Sequence, residues 1–351
     1  MHVHRFTLLL AGIAASTMAM AEGQAPREVA PTTDQGITRV PGIKVGHLTL
    51  DTRPTGCSVI LTPANTVGAV DVRGGAPATV ETDLLRPDEL VATINAVVLS
   101  GGSAFGLDAR GGVMKYLEEQ KIGYAFGGAY VPIVSGAAIF DLRVGDNPKI
   151  RPDAVCGYEA AARATTGRVS EGSVGAGAGA TVGKFGGEAG RAMKGGVGTS
   201  SFTMADGLIV GTYVVVNAAG SIVDRTGKPV AGVRGSDGKS LEDPFALLRR
   251  GLAPGGTREN TTLGVVATNA RLTKSQAQRV AAMAHDGFAR TIVPSHTMGD
   301  GDTIFTLATG QVDGDVSRIG VLAAEAMSDA ILRAVRAAKG LPGYPGVADL
   351  K

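Results

Sequence analysis

The chain has 351 residues, of which 44% are hydrophobic and 19% charged; this supplies apolar surface for a large core and excludes a disordered chain, a coiled coil or a highly charged tail. Its 34 Lys and Arg against 32 Asp and Glu, with 4% aromatic residues and no Trp, form neither a basic stripe nor a stacking platform, so nucleic acid is not an expected partner. The 52 glycines, roughly twice the usual share of about 7%, follow no G-X-Y period and point to tight turns and close backbone contacts.

The amino end reads as a secretory signal peptide: a basic start (His2, His4, Arg5), an apolar run from Phe6 to Met20, and the small-x-small site Ala19-Met20-Ala21 before Glu22. The run is shorter than the roughly 20 apolar residues of a bilayer span. We therefore expect residues 1–21 to be removed, and the mature protein to be exported to the periplasm with no membrane segment. Glu22 to Gln35, with two prolines and few apolar residues, reads as a flexible lead-in. An oxidising compartment permits disulfides, so Cys57 and Cys156 either pair or sit as two buried thiols, and the sequence leaves both open.

Short apolar runs bounded by Gly, Asn or Asp predict strands at Ser58 to Leu61, Ala96 to Leu99, Leu208 to Val216, Leu263 to Ala267 and Thr303 to Leu307. Helical spacing predicts helices over Ala104 to Gln120, Ala154 to Ala164 and Lys274 to Arg290. The last of these opens on a capping box, Thr273 with Gln276. A final helix, Val316 to Lys339, stops at Gly340 with Pro342 beyond. Between Arg225 and Glu259 the chain is polar and rich in Gly and Pro, apart from a helical piece around Phe245 to Leu252, and reads as a surface connection. Strands in runs with a few long helices indicate a layered α/β sandwich.

Several familiar motifs fail on inspection. Gly101-Gly102-Ser103-Ala104-Phe105 has Phe where a nucleophile elbow needs Gly. Gly175 to Ala180 follows no convincing strand, as a dinucleotide fingerprint would require, and Gly183-Lys184 is followed by Phe185 instead of Ser or Thr. The mature chain holds His47, His285 and His296 without metal-ligand spacing, so neither a cofactor nor a metal is expected. His285-Asp286 and His296 are candidates for a hydrolytic triad, but His285 reads better as a helix-face residue. What remains is Asn260-Thr261-Thr262-Leu263-Gly264, a hydroxyl residue where a loose loop meets a buried strand. Its plain reading is a turn. If the chain were cut before Thr261, however, the new α-amine, with an ordinary pKa near 8, would sit on the same residue as the hydroxyl and serve as its base.

The sequence resembles the L-aminopeptidase/D-esterase family of self-processing N-terminal nucleophile hydrolases, which includes β-peptidyl aminopeptidases and nylon-oligomer hydrolases. The resemblance spans roughly Gly36 to Gly310 and rests on ordered blocks: Val40 to His47, Arg73 to Pro77 with Glu81 to Leu85, Leu99 to Leu107, Val131 to Val134, Val174 to Lys184, Asn260 to Thr262 and Asp300 to Thr303. It implies a four-layer αββα sandwich over 36–351, cut at Asn260-Thr261 into chains 22–260 and 261–351 that stay associated, and a homo-oligomer. It also implies Thr261 as nucleophile, Asn217 as the side-chain amide donor to the oxyanion, Lys184 as a lysine near the nucleophile, and Asp300 and Asp302 as two nearby carboxylates. The substrate is then a small peptide, β-peptide or related amide, hydrolysed without cofactor. Threonine followed by Asp-Gly-Asp is similar to the nylon-oligomer endo-hydrolase branch. An ornithine-type acyltransferase of related fold and a non-catalytic binding module are the rival readings.

Overall fold

The computed structural model describes residues 1, 35–185, 191–251 and 260–350. The expected signal peptide beyond Met1, and the lead-in up to residue 34, lie outside the described residues. The strands that build the two large sheets are β1 (Lys44–Thr49), β2 (Gly56–Leu61), β3 (Val67–Val72), β4 (Thr79–Val80), β5 (Ala96–Ser100), β6 (Val134–Ala138), β7 (Gly196–Thr203), β8 (Ile209–Asn217), β9 (Thr261–Ala270) and β10 (Thr303–Val312). The helices are α1 (Ala109–Glu119), α2 (Ala154–Ala162), α3 (Pro244–Arg249), α4 (Lys274–Thr291) and α5 (Val316–Ala337). One sheet runs β1-β2-β5-β6-β4 and the other β7-β8-β9-β10-β3. Pairing is antiparallel except for β5 with β6 and β9 with β10.

The period of two along each strand decides the layers. In β2, Cys57, Val59 and Leu61 face α1 and α2, packing with Val113, Leu117 and Ala160. Ile60 faces the other way, into a core shared by both sheets with Val97, Leu99, Tyr213, Val265 and Phe305. In β9, Leu263, Val265 and Ala267 join that central core, while Val266 turns to α4 and α5 and meets Val280, Phe288, Ile319 and Met327. The result is the four-layer αββα sandwich.

Cys57 and Cys156 are joined in a disulfide with their Cα atoms 6.2 Å apart, tying β2 to α2 and closing the question that the sequence left open. The capping box of α4 forms, with the Gln276 N–H on Thr273 Oγ1 at 3.3 Å and the Thr273 N–H on Gln276 Oε1 at 2.9 Å. The first helix departs from expectation: Ser103–Asp108 is a 3₁₀ segment and only Ala109–Glu119 is α-helical. Its entry is drawn onto the strand ends by Ser103 N–H on Ile139 O at 2.9 Å and Ser100 Oγ on Gly106 O at 2.8 Å, which tightens the turn. The polar connection after Arg225 contributes α3 and a short strand, Pro229–Ala231, that pairs with Ser221–Val223. Residues 252–259, just before the candidate nucleophile, lie outside the described residues.

Candidate active site

β8 ends at Asn217 and β9 begins at Thr261, and the two residues are register partners. Tyr213 and Val215 on β8, and Leu263 and Val265 on β9, point into the core between the sheets. By the same alternation, Asn217 and Thr261 lie on that inner face, at the end where the apolar filling stops. Asn217 is fully buried and Thr261 is 4% exposed.

The bond before Thr261 is held from two sides. The carbonyl oxygen of Asn260 accepts the Gly301 N–H at 2.9 Å and lies 2.5 Å from Thr261 Oγ1. Asn260 also forms a parallel bridge with Asp300. Gly301 cannot be a larger residue without cost: a Cβ there would stand 2.7 Å from Thr261 Oγ1.

Thr181 and Lys184 fix the orientation of the Asn217 amide. Its Oδ1 accepts the Thr181 N–H at 3.0 Å and the Lys184 ammonium at 3.0 Å, and Lys184 Nζ also donates to the Asn217 backbone oxygen at 3.0 Å. Its Nδ2 donates to Phe140 O, just past β6 on the facing sheet, at 3.1 Å. Lys184 is delivered by the turn after the short strand Thr181–Val182, where its N–H binds Ala219 O at 2.9 Å.

Asp302 Oδ1 accepts the Thr262 N–H at 2.7 Å, and its Oδ2 accepts both the N–H and Nδ1 of His296, at 3.0 and 2.8 Å. Asp300 Oδ2 accepts Thr297 N–H and Oγ1 at 3.0 and 2.5 Å, and Oδ1 the Ala219 N–H at 3.4 Å. Both carboxylates are buried. Burial pushes the Asp300 carboxyl above the ordinary range, and the neighbouring Asp302 charge pushes it the same way. The segment that carries them rests on the glycine-rich block after β3: Arg73 and Gly74 N–H bind Asp302 O at 3.0 and 3.2 Å, and Ala76 N–H binds Asp300 O at 2.8 Å.

The structure therefore gathers Asn217, Lys184, Asp300 and Asp302 around the Asn260-Thr261 bond. His285 lies in the face of α4, one ring behind the site: its ring meets that of His296 edge-on with centroids 4.8 Å apart, and its Nε2 is 3.1 Å from Asp71 O; burial pushes its pKa down to about 4, so it is a neutral core residue. His296 does reach the site, but as a partner of Asp302. The Gly301 N–H, the Thr181 N–H and the Phe140 carbonyl escaped the sequence reading because backbone groups leave no mark in residue type.

Residues 35–348 match peptidase family S58. The chain belongs to this family. An uncharacterised aminopeptidase of Mycobacterium leprae is 44% identical over 347 residues, spanning 88% of this chain and 92% of its own. A 6-aminohexanoate-oligomer endohydrolase of Kocuria sp. is 32% identical over 316 residues, 84% of either chain. Among solved structures, a β-aminopeptidase of Burkholderia sp. superposes with TM-score 0.71 at 25% identity over 92% of this chain and 94% of its own. The L-aminopeptidase D-Ala-esterase/amidase of Ochrobactrum anthropi gives 0.70 over 93% and 94%, and at 19% identity it shows the shared fold. This member of family S58 is a self-processing N-terminal nucleophile hydrolase of amide bonds.

Proposed function

We propose that Thr261 is the nucleophile and that the chain cuts itself between Asn260 and Thr261. The observation that carries this reading is the Asn260 carbonyl oxygen, which meets Thr261 Oγ1 at 2.5 Å and the Gly301 N–H at 2.9 Å. Thr261 Oγ attacks the Asn260 carbonyl carbon, and Gly301 N–H steadies the charge that grows on the oxygen. The C–N bond breaks, the hydroxyl proton ends on the nitrogen, and an ester joins Asn260 to Thr261 Oγ. Water then splits the ester into the Asn260 carboxylate and the Thr261 hydroxyl. The new α-amine takes the hydroxyl proton in each later turnover and passes it to the leaving amine of the substrate. The Asn217 amide donates to the oxyanion, and the Lys184 charge keeps the α-amine neutral by disfavouring a second cation beside it. Asp300 and Asp302 hold the strand start and the scissile bond in register.

For the substrate, the 44% identity to a named aminopeptidase and the β-aminopeptidase superposition support removal of amino-terminal residues from small peptides. The 32% identity to a 6-aminohexanoate-oligomer endohydrolase supports a second reading, internal cleavage of a short polyamide. The leader and the disulfide support export.

Intact-mass measurement of purified active protein tests the nucleophile: two chains meeting at Asn260 and Thr261 are expected, with Thr261→Ala uncut and inert. One uncut chain in active protein overturns it. A panel of peptides with free and acetylated amino ends, beside a 6-aminohexanoate oligomer, then separates the two substrate readings.

A further inference from the structure

A second lysine lies behind the strand pair that delivers Lys184. Lys194, on the short strand Met193–Lys194, is the register partner of Thr181 and has no exposed surface. Its Nζ donates to three backbone carbonyls, Gly177 O at 2.8 Å, Ala180 O at 3.0 Å and Gly195 O at 2.8 Å. An ammonium has three N–H groups and here each meets an acceptor, which is the arrangement of a charged lysine. Burial pushes its pKa down to about 7 while the Asp141 charge opposes that shift. Asp141 is itself committed to Arg53 Nη2 at 2.8 Å, Thr55 Oγ1 at 2.6 Å and the Gly102 N–H at 2.9 Å. A cation placed in a core this way is costly, and an apolar side chain would fill the same volume at less cost.

What the ammonium gathers explains its presence. Gly177 and Ala180 belong to the glycine and alanine turn that ends at Thr181, and the Thr181 N–H is a donor that fixes Asn217 Oδ1. We propose that Lys194 is a positioning residue: by clamping the Gly177 and Ala180 carbonyls it sets the Thr181 N–H, and through it the orientation of the Asn217 amide. This rests on the reading of Asn217 as oxyanion donor. It places a structural cation one hydrogen bond behind the donor, distinct from Lys184, which touches Asn217 directly.

A double-mutant cycle tests it, with turnover normalised to the fraction of free Thr261 chain found by intact mass. Lys194→Met should lower kcat by about tenfold or more with KM nearly unchanged, because a misaimed donor is felt in the transition state. In an Asn217→Ala background the same substitution should change kcat by less than about twofold, since the group it positions is gone. Equal losses in both backgrounds overturn the inference while leaving Asn217 in its role. An Asn217→Ala protein with unchanged kcat overturns both. Should Lys194→Met fail to fold, Lys194→Gln, which keeps two N–H donors without the charge, is read in the same cycle.

Discussion

Asn217 Oδ1 accepts from Thr181 and Lys184 and Nδ2 donates to Phe140 O, so the amide is held with its nitrogen, the end that donates, directed away from Lys184. Replacing Asn217 by Ala should therefore lower kcat by roughly a hundredfold or more with a smaller change in KM, because such a donor acts mainly in the transition state. A rise in KM at constant kcat would remove it from that role. Lys184 lies one hydrogen bond from the same side chain. Its charge disfavours protonation of the Thr261 α-amine, so activity should rise with pH through an apparent pKa below the ordinary value near 8. Lys184→Met deletes the charge, and in protein shown to be cut the profile should move to higher pH with less activity at neutrality. An unmoved profile makes Lys184 a bystander and leaves the amine to be set by desolvation, because Asp300 and Asp302 would shift it the other way. At this scale Thr261 stood out by its own setting, a hydroxyl residue where a loop meets a buried strand, whereas Asn217, Lys184, Asp300 and Asp302 were named through the family resemblance alone. Lys194 was not legible, since a lone lysine in a glycine-rich run reads as solvent-facing until three carbonyls are seen around it.

The pairing of β8 with β9 turns two distant positions into one site. It also sets which threonine can react: Thr261 shares the inner face with Leu263, while Thr262 points with Val266 toward the helices and its N–H is taken by Asp302. Thr262→Ala should accordingly leave self-cleavage nearly intact where Thr261→Ala abolishes it, as denaturing electrophoresis of the two variants would show. The reverse pattern would move the assignment by one residue. Strands with β-branched runs, such as Leu208 to Val216 and Leu263 to Ala267, were readable because their apolar pattern matches a sheet buried on both faces. β7, Gly-Val-Gly-Thr-Ser-Ser-Phe-Thr, was not among the expected strands. Its small residues answer to α5, which crosses directly above: a Cβ on Gly198 would stand 1.9 Å from Ala330 O. A strand chosen for helix contact carries little hydrophobic signal.

Across the whole molecule, the two sheets are joined by a polar cluster inside their shared core. His47 on β1 meets Ser58 Oγ on β2 at 2.9 Å, and the same oxygen accepts the Tyr213 hydroxyl from β8 on the facing sheet at 2.8 Å. The His47 and Tyr213 rings stack with centroids 5.9 Å apart. Burial pushes the pKa of His47 down to about 4, and that of His285 likewise to about 4. Both are neutral in the folded protein, but in the unfolded chain they take up protons near their ordinary pKa of about 6.5. Between those two values the unfolded state binds more protons, so stability falls as pH drops from about 6.5 toward 4, by up to roughly 3 kcal/mol for each histidine. Asp300 works against this, because its raised pKa lets the folded state take a proton before the unfolded one does. The net loss should therefore be smaller than the two histidines alone would give. Urea unfolding of Thr261→Ala, a single chain by expectation, is the suitable measurement, since two associated chains would add a concentration dependence. Its midpoint should fall from pH 7 to pH 4.5, and His47→Gln should flatten that fall by removing one of the two groups that cause it. A His47→Gln protein whose midpoint falls as steeply as that of its parent would show that His47 does not cause the loss, because Asp300 acts equally in both proteins.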